Sequence, residues 1–223
     1  MKLFITGTDT NIGKTYVSCG ILKWLNNAGF STIALKPLAS GCQQTHAGLI
    51  NEDACALQAA ASIYMPLSRI NPLAFEPPVA PHIPAEQHNI QLTANLIVQQ
   101  CQTTLATQAD YYVIEGVGGW LMPINTKETM ADVALQLQAK IILVVGMRLG
   151  CLNHALLTYQ AIKQKNCSIV GWIANCIETN MLYQAENIAM LQQQIAAPLL
   201  GIIPYGATVE EHLHKQLFLS LTE

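Results

Sequence analysis

Six short apolar runs alternate along the chain with segments of helical periodicity, and this alternation constrains the fold more than any other feature. The runs are KLFIT (2–6), STIALKP (31–37), YYVIEG (111–116), KIILVVG (140–146), SIVGWIAN (168–175) and PLLGIIP (198–204). Helices are predicted after the first run and near 52–62, 91–107, 129–138, 153–165 and 181–195. Near-continuous Ile, Val and Leu runs are typical of parallel strands covered on both faces. The sequence therefore predicts an α/β fold with a doubly wound, mostly parallel sheet, helices on both faces, and ligands at the carboxyl ends of the strands.

The first strand leads into GTDTNIGKT (7–15), which has the form of the phosphate-binding loop of P-loop NTPases with one unusual spacing. Five residues separate Gly7 from Gly13, whereas the common pattern G-x-x-x-x-G-K-[ST] has four. A loop between a strand and a helix suits phosphate, because backbone N–H groups and the positive helix end face the anion. There Lys14 reaches the terminal phosphates and the Thr15 hydroxyl binds Mg²⁺. The alternative is a surface turn that carries GKT by chance.

The composition is that of a globular domain, and we expect one nucleotide-binding domain over residues 1–223. Hydrophobic residues make up 51% of the chain and charged residues only 11%, compared with a usual charged share of about 25%. The net charge of −3 gives no basic surface for nucleic acid. No apolar stretch reaches the roughly 18 residues of a membrane helix. We also expect no signal peptide, because the phosphate loop follows Lys2 almost at once. Neither nucleic acid nor a membrane is therefore an expected partner.

The seven cysteines are an odd number, without a C-x-x-C pair or a regular spacing. A disulfide framework or a zinc site would need paired or regularly spaced cysteines. Reduced thiols in a cytoplasmic protein are the better interpretation.

Polar residues follow several predicted strands where the strands end. KPLASG places Lys36 and Ser40 beside the phosphate loop, and EGVGGW places Glu115 at the same edge. Asp53 opens the next predicted helix. Because Mg²⁺ prefers oxygen ligands, Asp53 and Glu115 are candidates to hold it together with Thr15. The alternatives are a helix N-cap for Asp53 and an ordinary surface acid for Glu115.

One proline-dense stretch, NPLAFEPPVAPHIPAEQ (71–87), interrupts the alternating pattern. Long loops within compact domains are often functional. We expect an ordered loop over a site rather than a linker.

The motifs occur together in a combination that resembles the dethiobiotin synthetases, over residues 3 to about 206. They are GTDTNIGKT, KPLASG, NEDA, APH, EGVGGW, VVGMRLGCLNHALLT and GWIAN. That family carries the same extra residue in its phosphate loop, so the resemblance accounts for the unusual spacing.

The resemblance implies a homodimer with a P-loop α/β fold that uses 7,8-diaminononanoate, CO₂ and ATP with Mg²⁺. One amine traps CO₂ as a carbamate, which attacks the γ-phosphate of ATP. The second amine then displaces phosphate from the mixed anhydride and closes the ureido ring of dethiobiotin.

The resemblance also implies roles for individual residues. Lys36 stabilises the carbamate and Lys14 the phosphates. The residues implied to bind substrate are Thr10, Lys36 and Ser40, with Gly150, Cys151 and Asn153 from the partner subunit. Those implied to bind ATP are Asn11, Ile12, Gly13, Lys14, Thr15, Tyr16, Asp53, Glu115, Gly116, Val117, Gly118, Asn175, Cys176, Pro204, Tyr205, Gly206 and Glu211. From the sequence, Asn153 is a suitable N-cap for the helix that starts there, and a helix start can bind a carboxylate.

Three positions depart from the family pattern. Arg148 stands where the family often has lysine. The arginine keeps the positive charge but changes the shape of the side chain. Ala80 replaces a Ser or Thr that often opens the APH motif, and the region around Glu211 varies widely in the family.

The alternative function is a regulatory or partitioning P-loop ATPase. Such proteins carry a lysine early in the phosphate loop, where Asp9 stands here, and a basic amphipathic tail, where this chain has QLFLSLTE (216–223). A GTPase is a third possibility, but GWIANCIE lacks the N-K-x-D motif that recognises guanine.

Overall fold

A computed structural model describes residues 1–46 and 48–214, so the QLFLSLTE tail lies outside the described residues. The strands are β1 (Lys2–Gly7), β2 (Thr32–Leu35), β3 (Leu38–Ala39), β4 (Gln43–Thr45), β5 (Gly48–Ile50), β6 (Leu73–Ala74), β7 (Tyr111–Glu115), β8 (Lys140–Met147), β9 (Ile169–Cys176) and β10 (Leu199–Ile203). The α-helices are α1 (Lys14–Asn27), α2 (Glu52–Ala60), α3 (Leu67–Ile70), α4 (His82–Gln87), α5 (Ala94–Leu105), α6 (Met130–Gln136), α7 (Cys151–Gln164) and α8 (Gln184–Gln194), and a 3₁₀ helix spans Val209–Glu211.

The six predicted runs form one sheet in the order β10-β9-β8-β1-β7-β2. Every neighbouring pair in this sheet is parallel. The predicted fold class is therefore confirmed. Since β1, β7 and β2 are adjacent, their carboxyl ends bring the phosphate loop, Glu115 and Lys36 to one edge of the sheet.

Side chains of the sheet alternate between two apolar layers, as parallel strands covered on both faces require. In β1, Phe4 points into the layer formed with α5, α6, α7 and α8. Its neighbours Leu3 and Ile5 point into the layer formed with α1 and α2. The sheet is thus covered by helices on both faces.

Several predicted boundaries differ from the structure because local chemistry decides them. The segment predicted as helix from residue 91 becomes helical only at Ala94, since the Thr93 hydroxyl accepts a hydrogen bond from the Leu96 N–H at 3.1 Å and caps the helix. The proline-dense stretch is ordered, as expected, but it contains β6 and α4. No described helix is long and apolar enough to cross a lipid bilayer.

Candidate active site

The phosphate loop joins β1 to α1, and its last glycine is required by its geometry. Gly13 has φ of 83° and caps α1 in the left-handed region, which favours glycine. A Cβ at Gly13 would also overlap the side-chain amide of Asn175. That amide donates a hydrogen bond to the Ile12 carbonyl at 2.8 Å. Asn175, at the end of β9, therefore fixes the loop just before the helix begins.

Lys14 is buried at the first position of α1, with only 7% of its surface exposed. Its ammonium donates a hydrogen bond to the Asp9 carbonyl at 2.7 Å, across the loop. Burial lowers the pKa of Lys14 to about 8, and the negative charge of Glu115 only partly offsets this. The side chain is still mainly protonated at neutral pH, so a cation stands at the loop before any anion binds.

A second buried cation lies between two carboxylates. The Lys36 ammonium donates to Asp53 Oδ2 at 2.7 Å and to Glu115 Oε1 at 2.5 Å. Burial opposes the charge of Lys36, but the two carboxylates outweigh it and raise its pKa. Likewise, burial opposes the charge of Asp53, but Lys36 outweighs it and lowers the pKa of this carboxyl. Lys36 and Asp53 are therefore both charged at neutral pH.

The acids meet the Thr15 hydroxyl in the arrangement predicted for a magnesium site. Thr15 Oγ1 donates to Glu115 Oε1 at 2.8 Å, and Asp53 is joined to the same carboxylate through the Lys36 ammonium. Glu115 Oε2 is buried without a hydrogen-bond partner among the described residues. A hydroxyl and two carboxylates are hard oxygen donors, and Mg²⁺ at nucleotide sites commonly takes its other ligands from water and phosphate. The donor set fits Mg²⁺.

The structure excludes the two alternatives for these acids. Glu115 is only 1% exposed, so it is not a surface acid. The N-cap of α2 is Asn51, whose side chain accepts from the Ala54 N–H, while Asp53 lies within the first turn. Neither carboxylate is explained by a purely local role.

A cleft of about 780 Å³ opens above these groups at the carboxyl edge of the sheet. The predicted site residues that line it are Thr10, Asn11, Gly13, Lys14, Thr15, Lys36, Ser40, Asp53, Glu115, Gly116, Val117 and Gly118. Ser40 Oγ is buried and has no hydrogen-bond partner in the described part of the chain, which leaves it available to a ligand. The base of the cleft thus brings two lysines and two acidic residues together.

The other predicted site residues lie outside this cleft, in three places. Ile12, Asn175 and Cys176 are buried around the phosphate loop and the end of β9. Tyr16 lies on α1 and contacts the segment after β10, where Pro204, Tyr205, Gly206 and Glu211 are found. Gly150, Cys151 and Asn153 lie at the start of α7.

Asn153 is not the N-cap of α7, and this prediction was wrong. The helix begins at Cys151 and its N-cap is Gly150, which has φ of 91°. The left-handed glycine turns the chain into the helix three residues before Asn153, and the Cys151 N–H donates to the Arg148 carbonyl at 3.0 Å. Asn153 is an exposed residue of the first turn, so its side chain can still face a ligand at this helix start.

Some residues that line the cleft were not predicted from the sequence. Pro78, Val79 and Pro81 line the cleft, as does the departing residue Ala80. The proline-dense stretch indicated a loop over a site without indicating which residues face it. Met122 also lines the cleft, and no signal in the sequence singles it out.

Arg148, which also departs from the family pattern, pairs with Asp9 in the phosphate loop. The second oxygen of the Asp9 carboxylate accepts from the Thr10 N–H at 2.8 Å. Arg148 therefore ties the loop after β8 to the phosphate loop.

Comparisons with known proteins agree on one family. The family described as "AAA domain" matches residues 1–212. The ATP-dependent dethiobiotin synthetase BioD of Cellvibrio japonicus is 48% identical over 201 residues, which cover 90% of this chain and 88% of that protein. The enzyme of the same name from Yersinia pestis is 46% identical, covering 95% of this chain and 88% of its own length. That from Alteromonas mediterranea is 43% identical and covers 94% of both chains.

Solved structures with the same fold are more distant in sequence. The MinD cell division protein of Aquifex aeolicus has a TM-score of 0.59 at 13% identity, covering 100% of this chain and 97% of its own. The signal recognition particle receptor FtsY of Elizabethkingia anophelis, in complex with GDP, has a TM-score of 0.57 at 10% identity, covering 99% of this chain and 63% of its own. At such identity the likeness shows the P-loop NTPase fold alone.

Proposed function

The chain belongs to the ATP-dependent dethiobiotin synthetase family, and from this premise we propose that it converts 7,8-diaminononanoate, CO₂ and ATP into dethiobiotin, ADP and phosphate. As a single-domain ligase of biotin biosynthesis it would act in the cytoplasm. All seven cysteines are unpaired thiols, which supports a reducing compartment. The observation that carries the proposal is the convergence of Lys14, Lys36, Asp53 and Glu115 on one cleft.

Two cations in the cleft suit a reaction between two anions. A carbamate and a triphosphate repel one another, and fixed positive charge offsets that repulsion more effectively in a water-poor site than in water. Lys14 holds the phosphates through the loop, and Lys36 is placed to stabilise the carbamate. Ser40 and Thr10 line the same cleft and would orient the diamine by hydrogen bonding.

Mg²⁺ would be held by Thr15, Asp53 and Glu115, because their hydroxyl and carboxylate oxygens are hard donors. Bound there, the ion would offset the charge of the β- and γ-phosphates. The remaining ATP contacts would come from Asn175 and Cys176, and from the Pro204–Gly206 turn with Glu211 on the base and ribose.

The test of this function is an ADP-release assay with the purified chain, Mg·ATP, bicarbonate and diaminononanoate. We expect ADP release that depends on the diamine, with dethiobiotin detected by mass spectrometry. ADP release without the diamine would favour the regulatory ATPase instead. No ADP release with all substrates present would also contradict the synthetase.

We propose in addition that the active enzyme is a homodimer in which α7 of one subunit binds the substrate carboxylate in the cleft of the other. The carboxylate lies far along the substrate from both amines, and the start of α7 does not line the cleft of its own subunit. Leu149, directly before this helix, is 95% exposed, and Leu157 within it is 57% exposed. An apolar surface beside an anion-binding helix start supports a subunit contact here.

Mixing two inactive variants tests the shared site. Lys14→Ala removes a phosphate ligand, and Asn153→Asp places a negative charge against the carboxylate, so each dimer alone should be nearly inactive. Random re-pairing makes half of the dimers mixed, each with one intact site of two, so roughly a quarter of the sites should regain activity.

The matched control mixes Lys14→Ala with Lys36→Ala, because both changes fall in the same cleft and no mixed site is intact. Subunit exchange is verified by native mass spectrometry. If exchange is complete and the first mixture gains no activity, the carboxylate is bound within one subunit.

A further inference from the structure

The segment after β10 is held on helix α1 by two contacts that lie one helical turn apart. We call residues 204–211 the base segment. The Tyr16 hydroxyl donates a hydrogen bond to the Ala207 carbonyl. One turn later, Gly20 faces Val209 so closely that a Cβ at Gly20 would overlap the valine side chain. The base segment is therefore attached to the same helix that begins at the phosphate loop.

The two contacts differ in burial, and we therefore expect them to have different effects on the base segment. Val209 is 2% exposed and belongs to the apolar layer that contains Val17 and Ile21. This contact anchors the far end of the base segment as part of the core. Tyr16 is 44% exposed, so its hydrogen bond adds little to the core. Its effect falls on the near end of the base segment instead.

The near end is a tight turn closed by a backbone hydrogen bond. The Ala207 N–H donates to the Pro204 carbonyl at 3.1 Å, and Gly206 has φ of 71°. Proline fixes one dihedral of this turn and glycine supplies the left-handed position. Because the turn is closed in this way, holding its last residue fixes the position of the whole turn.

The turn lies next to Asn175 across the sheet. Ile203, which precedes the turn, is in register with Asn175 in the parallel pair of β10 and β9. Asn175 is itself fixed to the phosphate loop through the Ile12 carbonyl. Asn175 and the turn thus form two neighbouring elements that would contact a base, and each is tied separately to the start of α1.

We propose that Tyr16 is a positioning residue that sets the distance between the Pro204–Ala207 turn and Asn175, and thereby the preference for adenine over other bases. The inference rests on the proposed function only in taking this region as the base site. Tyr16 directly follows Thr15, so one helical turn positions both the phosphate end and the base end of the nucleotide. Without the hydroxyl, Val209 still anchors the base segment, but the turn loses its fixed distance from Asn175.

Tyr16→Phe tests this inference because it removes one oxygen atom and keeps the ring. Binding of the non-hydrolysable ATP and GTP analogues with a β,γ-imido bridge is measured by calorimetry in the presence of Mg²⁺. We expect the Kd of the adenine analogue to rise about fivefold, the scale of one net hydrogen bond. The Kd of the guanine analogue should change less than twofold, so that the preference for adenine falls about fivefold.

In the synthetase assay the same variant should raise the KM for ATP and keep kcat within twofold, since no group that touches the phosphates has changed. The control is Tyr64→Phe, the same chemical change at a 74% exposed tyrosine that does not line the cleft. It should leave both affinities unchanged.

An equal loss of affinity for both analogues in Tyr16→Phe would mean that Tyr16 acts on the phosphate loop, and would overturn the inference. So would an unchanged preference. Because the binding measurement uses no diamine, it remains decisive even if the chain fails the synthetase assay.

Discussion

Lys36→Ala should lower kcat by about 10²–10³-fold while the KM for ATP stays within a few-fold, the scale expected when one preorganised charge is lost. Lys14→Ala should instead raise the KM for ATP and lower kcat, because Lys14 holds phosphates in both the ground and the transition state. Steady-state kinetics with ATP varied at saturating diamine separate the two patterns. Equal damage to ATP affinity from both changes would contradict this division of roles.

Lys36 also neutralises two carboxylates, so its removal needs a structural control. In fully buried pairs, removing one partner costs about 3–5 kcal/mol, enough to unfold a marginal protein. Lys36→Arg keeps the charge and serves as the matched variant. If both variants have the melting temperature of the wild type but only Lys36→Arg retains partial activity, Lys36→Ala has lost activity through its missing charge and not through unfolding. Loss of folding in Lys36→Ala alone would make Lys36→Gln the variant to assay.

Asp53→Asn and Glu115→Gln should each raise the Mg²⁺ concentration for half-maximal rate by about tenfold or more, since each removes a full charge from the shell of a divalent ion. Direct binding of Mn²⁺, followed by electron paramagnetic resonance, gives the same comparison without turnover. Glu52→Gln is the control, because Glu52 is the exposed neighbour of Asp53 on α2. Unchanged metal affinity in both variants would contradict the magnesium site and would mean that the two acids serve to pair with Lys36.

The sheet and the base of the site could be predicted from the sequence because their signals are local. A run such as IILVV is long enough to identify a buried parallel strand, and Lys36 and Glu115 stand at the ends of two such strands. Lys36 and Glu115 could therefore be placed together before their side chains were seen.

The features that were not predicted depend on contacts between distant segments. The start of α7 was misplaced because asparagine is a good N-cap, whereas the chain turns at Gly150, which has φ of 91°. The residues of the base segment were implied to bind ATP, but no pattern in the sequence predicts their contact with α1. A glycine in the middle of a helix, such as Gly20, looks unfavourable from the sequence. In the structure a Cβ at this position would overlap the side chain of Val209, which lies far along the chain.

The adjacency of β1, β7 and β2 also affects how the protein is made. Thr15 and Glu115 are 100 positions apart, and Lys36 and Glu115 are 79 apart. A chain emerging from the ribosome can form β1, α1 and β2 early, but it has no complete nucleotide site until β7 inserts between those two strands. Long-range parallel pairing of this kind is slow, because the entropy of closing the loop opposes it. Mg·ATP should therefore bind only after the insertion and stabilise only the completed sheet. The moment during refolding at which Mg·ATP begins to bind would then report when β7 inserts.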